Sequence, residues 1–251
     1  MPDTNLTSET TPSNPQQFRT TRWSVVCSAL DSETSGSRLA MEHLCRMYWY
    51  PVFHFIRRNG HNQHDAQDLT QAFFARFVEK QWLEKADRSR GRFRSFLLMI
   101  LKRFLASEWK REHALKREGN LHWLSLNMDT AETRYAQEPA DTTTPEQSFE
   151  KQWALTLLET VMQTLKARYI EDNKTDLFEH LKPCLMGSRE SQPYATLAAQ
   201  LGMSEGAVKV SVHRLRNQYR ECLRGEIAQT VSSPSEVDEE MKHLIRVLAR
   251  G

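Results

Sequence analysis

The chain has 251 residues, 39% of them hydrophobic, which is enough to bury one large core or two small ones. Lys and Arg total 34 against 32 Asp and Glu, so the net charge of +2 says little about partners. The four cysteines (Cys27, Cys45, Cys184, Cys222) lie far apart, and His61 and His64 have no further ligands at metal-binding spacing. We therefore expect a reducing compartment, with no disulfide framework, metal site or cofactor.

The start of the chain, residues 1–19, is polar and rich in Thr, Ser and Pro, which predicts a disordered extension. It has no apolar region of the kind a secretory signal needs. No later stretch approaches the ~18 consecutive apolar residues of a membrane span. These features predict a soluble, cytoplasmic protein without membrane contacts.

Apolar periodicity predicts helices nearly throughout and no strand. The predicted helices cover residues 22–31, 37–58, 64–79, 92–116, 147–169, 174–182, 194–200, 204–224 and 236–249. Residues 119–146 lack periodicity and end in Thr and Pro, which is typical of a linker. Residues 87–118 hold ten Lys/Arg and four acids, whereas residues 125–150 hold one Arg and six acids. We predict an all-α protein of two small helical domains joined by a flexible acidic linker.

The predicted helix at 64–79 is amphipathic. Ala66, Leu69, Phe73 and Phe77 form its core face. Asp68 and Gln71 lie off that face together with Phe74, and an exposed aromatic between hydrogen-bonding groups is typical of a protein-docking surface. In the alternative interpretation, Phe74 belongs to a broad buried stripe with Val78.

The next predicted helix mixes cations with aromatic residues. Six of the cations are spaced to follow a phosphate backbone: Arg92, Arg94, Lys102, Arg103, Lys110 and Arg111. Phe96 or Trp109 is placed to stack on an unpaired base. Alternatively, the aromatic and aliphatic residues are core (Phe93, Phe96, Leu97, Ile100, Leu101, Phe104) and the cations form a solvated face. We expect most aromatics to be core, so the single-stranded DNA hypothesis rests on the cations, while Trp109 either stacks or packs.

Residues 194–216 have the pattern of a helix-turn-helix. Leu197, Ala198 and Leu201 supply the apolar face of a first helix, Gly202 suits the turn, and Ser204 suits the start of a second helix. The second helix has an inner face of Val208, Val212 and Leu215, and its cations and imidazole point outward: Lys209, His213, Arg214 and Arg216. This pattern predicts a module that reads the major groove of DNA. An ordinary helical hairpin with a solvated basic face is the alternative.

Three motifs in this order resemble the extracytoplasmic-function (ECF) sigma factors of bacterial RNA polymerase: Asp65–Gln71, Arg90–Leu97 with Lys110-Arg111, and Tyr194–Leu215 after the acidic linker. The start Thr21-Arg-Trp-Ser and the extended tail resemble the large group found in planctomycete-type bacteria. The resemblance implies a sigma region two domain at 20–118, the linker at 119–146, a region four helix-turn-helix domain at 147–230 and an amphipathic tail at 231–251.

The resemblance also implies roles for individual residues. Gln67, Asp68, Gln71 and Phe74 would dock on the coiled coil of the largest polymerase subunit. Lys102, Arg103, Ser107, Lys110 and Arg111 would lie at the melted minus-ten element, where the residue pattern adds Arg92, Arg94 and Trp109. Ser204, Glu205, Lys209, His213 and Arg214 would enter the major groove of the minus-thirty-five element, and Arg216 follows on the same helix. The implied function is promoter recognition and transcription initiation, with core polymerase and promoter DNA as partners and an anti-sigma factor or other regulator as a further candidate.

Two other functions compete with this one. A free-standing helix-turn-helix regulator would bind DNA as a dimer, and the tail offers an apolar stripe for dimerisation: Val237, Met241, Leu244, Ile245 and Leu248. We expect that stripe to pack over the region four domain instead. An enzyme is the second rival, but the sequence has no glycine-rich phosphate loop, nucleophile elbow or carboxylate pair, so we predict no catalytic residues.

Overall fold

The computed structural model describes residues 35–79, 92–114, 134–135, 143–185, 192–231 and 233–249. These residues form eight α-helices and no strand. The helices are α1 (Ser35–Arg58), α2 (Gln63–Val78), α3 (Phe93–Ala114), α4 (Pro145–Glu171), α5 (Thr175–Leu181), α6 (Tyr194–Leu201), α7 (Glu205–Ala228) and α8 (Glu236–Leu248). A short 3-10 helix at Lys182–Cys184 follows α5.

The predicted all-α class is confirmed. Each observed helix lies within four residues of a predicted one at both ends. The predicted helix at 22–31, the N-terminal extension at 1–19 and most of the linker at 119–146 lie outside the described residues.

Local signals in the sequence begin several of these helices. The Asn62 side chain accepts a hydrogen bond from the backbone amide of Asp65 before α2, at 2.9 Å. Thr144 and Gln147 form a reciprocal capping box at the start of α4. Ser204 accepts from the backbone amide of Ala207 at 3.2 Å and begins α7. Each cap satisfies an amide that has no partner within its own helix.

A first hydrophobic core is built from α1, α2 and α3 together with the first half of α4, the end of α7 and α8. Aromatic rings fill it: Phe73 packs edge-on against Phe104 with centroids 5.7 Å apart, and Tyr48 meets Phe93 at 5.2 Å. A second core joins the end of α4, helices α5 and α6, and the first half of α7. Helices α4 and α7 therefore run through both cores.

This arrangement differs from the two separate bodies that the linker led us to expect. Phe149, Trp153 and Leu157 recur every four residues on α4 and are almost fully buried, and Phe149 meets Phe55 of α1 at 6.3 Å between ring centroids. An apolar stripe of this size at the start of α4 is most stable against another helix, and α1 provides the surface. The predicted domain boundaries stay predictions, but residues on both sides of the linker share one core in this structure.

Gly202 makes the turn between α6 and α7 possible, since its φ of +62° lies in the left-handed region. We expect Gly202→Ala to lower the free energy of unfolding by about 1 kcal/mol, because an L side chain is disfavoured at this φ. The matched control is Gly225→Ala in α7, which should stabilise by about 0.5–1 kcal/mol through helix propensity. A Cβ at either glycine meets nothing within 4 Å, so urea unfolding compares backbone conformation alone. Equal stability changes of the two variants would contradict the turn assignment.

Candidate nucleic-acid and protein interfaces

The outer face of α2 carries the polar residues predicted to dock on a protein. Asp68 is exposed, and Gln67 and Gln71 are half-buried beside it. Asp68 makes an ion pair with His64 at 3.7 Å, and both side chains are largely in solvent. An exposed pair of this kind contributes little to stability, so Asp68 is available to a partner.

The expected exposure of Phe74 is wrong. Its side chain is only 9% exposed and packs edge-on against Phe73 and Phe77, with ring centroids at 5.3 and 6.4 Å. The apolar stripe of α2 is therefore broader than the face centred on Phe73 and Phe77, as the alternative interpretation held. Phe74 supports the helix from inside and does not present a ring to solvent.

Val78 is a surface residue that the sequence interpretation missed. The alternative interpretation placed Val78 with Phe74 in a buried stripe, yet 48% of Val78 is exposed. Val78 lies seven residues after Gln71, which is two helical turns, so the two side chains share a face. This spacing was the signal in the sequence. The α2 docking face is defined here as Gln67, Asp68, Gln71 and Val78.

The outer face of α3 carries most of the residues predicted at single-stranded DNA. Its inner side is the apolar core that the sequence indicated, with Phe93, Leu97, Ile100, Leu101 and Phe104 buried. Its outer side, called here the α3 basic face, is exposed and consists of Lys102, Arg103, Ser107, Trp109, Lys110 and Arg111. Trp109 is 60% exposed, which favours stacking over packing. From residue 102 to residue 110 the cations extend over about 12 Å.

Three ion pairs shape the α3 basic face, and one of them joins Arg111 to Glu108 at 3.5 Å. Lys102 bonds Glu146 of α4 at 2.7 Å, and this bond lowers the pKa of Glu146. Arg76 of α2 bonds the nearly buried Glu108 at 2.6 Å and lies 5.0 Å from the centre of the Phe104 ring. The Arg76–Glu108 pair ties the end of α2 to α3. It therefore holds the α2 docking face and the α3 basic face in one orientation.

Arg92 and Arg94 are not part of the α3 basic face, contrary to the sequence prediction. Arg94 is 3% exposed and makes an ion pair with Glu240 of α8, which is 1% exposed. Arg92 binds the same carboxylate at 2.8 Å. Burial lowers the pKa of Arg94, and the nearby carboxylate of Glu150 opposes that shift. The sequence contained no local signal for this, because the partner lies at the other end of the chain.

Helices α6 and α7 form the predicted helix-turn-helix. Leu197 and Ala198 of α6 pack against Val208, Val212 and Leu215 of α7 in the second core. Glu205, Lys209, His213 and Arg214 lie on the exposed side of α7, next to its capped start at Ser204. Glu205 and Lys209 pair at 3.3 Å across one helical turn. The start of α7 therefore presents hydrogen-bonding groups outward, as a helix that enters the major groove does.

Arg216 of α7 makes a hydrogen bond within the fold. Its guanidinium donates to the backbone carbonyl of Cys184 at 2.9 Å, at the end of the 3-10 helix. This bond fixes the segment after α5 against α7. Arg216 is nevertheless an exposed residue.

The described residues lack a membrane-spanning helix and a metal-binding cluster. No helix there is both long and apolar enough to span a bilayer. Within the same residues, no three His, Cys, Asp or Glu side chains gather at a point where they would hold a metal ion.

Comparison with known proteins supports the resemblance to sigma factors. The sigma-70 region 2 family matches residues 44–114, which cover most of α1 and all of α2 and α3. The ECF RNA polymerase sigma factor SigE of Mycolicibacterium smegmatis is 24% identical over 204 residues, covering 80% of this chain and 69% of that protein. Both findings support an ECF sigma factor. The residues that match region 2 include both the α2 docking face and the α3 basic face. No solved structure matches the chain. The planctomycete-type group stays a prediction.

Proposed function

We propose that this sigma factor directs core RNA polymerase to promoters through three surfaces of its own. The α2 docking face binds the polymerase, the α3 basic face holds the melted minus-ten strand, and the start of α7 reads the minus-thirty-five duplex. The observation that carries the proposal is the placement of the first two surfaces on adjacent helices inside the region 2 match. The Arg76–Glu108 pair supports these separate roles for α2 and α3, since it fixes the two helices relative to each other.

The α3 basic face suits a single strand better than a duplex. Lys102, Arg103, Lys110 and Arg111 supply positive charge along the helix, and the exposed indole of Trp109 offers a flat surface for an unstacked base. Few phosphate contacts are available on a face of this size, so the free protein should bind DNA weakly at physiological salt. Polymerase would raise the affinity by placing both DNA-binding surfaces on one promoter at once.

The competing function, a dimeric regulator, would need the apolar stripe of α8 as its dimer surface. In the structure Val237 and Leu244 of that stripe are buried within the chain, and Met241 and Leu248 are half-buried. Ile245 is exposed, with 62% of its surface in solvent. The stripe is mostly occupied by an intramolecular contact. We therefore propose that the protein is a monomer. We also propose that it acts in the cytoplasm and has no catalytic site of its own.

Run-off transcription with purified core polymerase on a promoter library tests this function. We expect specific transcripts that depend on the added chain, and their absence would contradict the proposal.

Lys209→Ala and Arg214→Ala should each weaken binding to promoters that have a minus-thirty-five element. The expected loss is about 1–3 kcal/mol per lost base contact, which is roughly 5-fold to 150-fold in affinity. Arg220→Ala is the matched control, because Arg220 is an exposed cation further along α7. Equal losses in Arg220→Ala and Lys209→Ala would indicate general charge attraction instead of groove reading.

A further inference from the structure

Helix α7, which the structure describes in full, exposes a single large apolar residue, Val210. Val210 has 49% of its surface in solvent, whereas Val208, Val212 and Leu215 of the same helix are almost fully buried. Val210 follows Val208 by two residues and precedes Val212 by two, and each step of two residues turns a helix by about 200°. Val210 therefore points almost directly away from the second core.

The neighbours of Val210 on this outward side are small or charged. Gly206 lies one turn before Val210, and a Cβ there would meet nothing within 4 Å. Arg214 lies one turn after Val210 and is exposed. Lys209, on one flank, is paired with Glu205 at 3.3 Å. The valine side chain is therefore the apolar centre of an otherwise open and charged surface.

A single exposed valine is common on protein surfaces, so its position decides what it indicates. Val210 lies in the second turn of α7, close to the capped start at Ser204. This is the part of α7 that is proposed to enter the major groove, and the inference therefore rests on the proposed function. In that position the valine side chain would lie among the edges of the bases.

The chemistry of the valine side chain restricts what it can recognise. Valine has no hydrogen-bond donor or acceptor, so it cannot bond the polar edges that adenine, guanine and cytosine present in the major groove. A polar base edge covered by valine would lose water without gaining a partner, which is unfavourable. Thymine alone presents an apolar group there, its C5-methyl group. A valine at this place therefore favours thymine over the other three bases.

We propose that Val210 is a specificity-determining residue that reads the C5-methyl group of a thymine in the minus-thirty-five element. Lys209 and Arg214 on either side hold the duplex through hydrogen bonds and charge, and Val210 selects the base that lies between them. This contact adds an apolar requirement to the polar contacts proposed for α7. The promoters that the protein uses should accordingly contain a thymine at one fixed position of the minus-thirty-five element.

The test is binding-site selection from random duplex DNA by the full chain alone, at low ionic strength, where phosphate contacts are strongest. Fluorescence anisotropy then compares the best selected duplex with copies in which deoxyuridine replaces one thymidine at a time. Deoxyuridine pairs as thymidine does and lacks only the C5-methyl group. Each duplex is measured with the unmodified chain, with Val210→Ala and with Val210→Ile, which keeps a branched apolar side chain.

The matched control is Ile170→Ala, because Ile170 of α4 is also a branched apolar residue with 49% of its surface exposed. Ile170 lies outside α7, so its replacement should not alter the choice of base. Val210 and Ile170 are both half in solvent, so neither replacement should change the stability of the fold noticeably. Circular dichroism and urea unfolding establish this for each variant.

We expect the unmodified chain to bind about threefold to fivefold more weakly when deoxyuridine replaces one particular thymidine, which is the effect of one buried methyl group. The loss should persist in Ile170→Ala and in Val210→Ile, and it should disappear in Val210→Ala. A selected site without a fixed thymine overturns the inference, and so does an equal loss in Val210→Ala.

This result is separate from that of the proposed function, because the selection requires no polymerase. If the chain reads thymine through Val210 but directs no transcription in the run-off assay, the Val210 inference stands and the proposed promoter recognition fails. If transcription depends on the chain but the methyl group has no effect on binding, the proposed function stands and the Val210 inference fails.

Discussion

Replacing Asp68 and Gln71 together with alanine is expected to weaken binding to core polymerase by about 100-fold or more, with little change in stability. Interface energy is concentrated in a few residues that each contribute about 2 kcal/mol or more, and every 1.4 kcal/mol is tenfold in affinity. Asp68 lies on the outer face of α2, where it pairs with the exposed His64. Replacing Asp68 should therefore reduce the affinity for polymerase more than it reduces the stability of the fold.

The matched control for this double variant is Glu159→Ala with Gln163→Ala. These are an acid and an amide on the exposed side of α4, one helical turn apart, outside the α2 docking face. Fluorescence anisotropy with labelled chain and purified core polymerase measures the affinities, and urea unfolding measures stability. If the two double variants bind polymerase equally well, the docking assignment of α2 is wrong.

Phe74→Ala is expected to lower the free energy of unfolding by about 3–5 kcal/mol, the usual cost of removing a buried phenylalanine ring. Phe74 packs against Phe73 and Phe77, and the ring of Phe73 packs against Phe104 of α3. A cavity at this point weakens the contact between the two helices that carry the region 2 surfaces. Urea unfolding monitored by circular dichroism measures the loss.

Val78→Ser tests an exposed apolar residue on the same helix and is compared with Phe74→Ala. Val78 is half in solvent, so its replacement should change stability by about 0.5 kcal/mol or less. It should nevertheless weaken polymerase binding by about tenfold, because an exposed apolar side chain in a polar docking face is a typical anchor. If the Phe74→Ala variant is stable but fails to bind polymerase, Phe74 has the polymerase-docking role that the sequence first suggested.

Helix positions and the helix-turn-helix could be predicted from the sequence because their signals are local. Gly202 has the positive φ that its position indicated, and Ser204 caps the helix that follows it. Val208, Val212 and Leu215 are buried as their spacing required. The order of the motifs also indicated the ECF sigma family, since the region 2 match contains the α2 and α3 motifs. The helix and turn signals each depend on residues within one or two turns of each other.

The sequence by itself thus determined the helices, their caps and the two chemically distinct surfaces of region 2. Only the tertiary structure decided that Phe74 points inward and Val78 outward, because periodicity gives the angle between side chains but not the angle at which a neighbouring helix approaches. It also decided that Arg94 is buried, since the charge that stabilises it there belongs to Glu240 at the opposite end of the chain. Long-range pairing of this kind leaves no local pattern, because neither residue constrains the other until the fold brings α3 and α8 together.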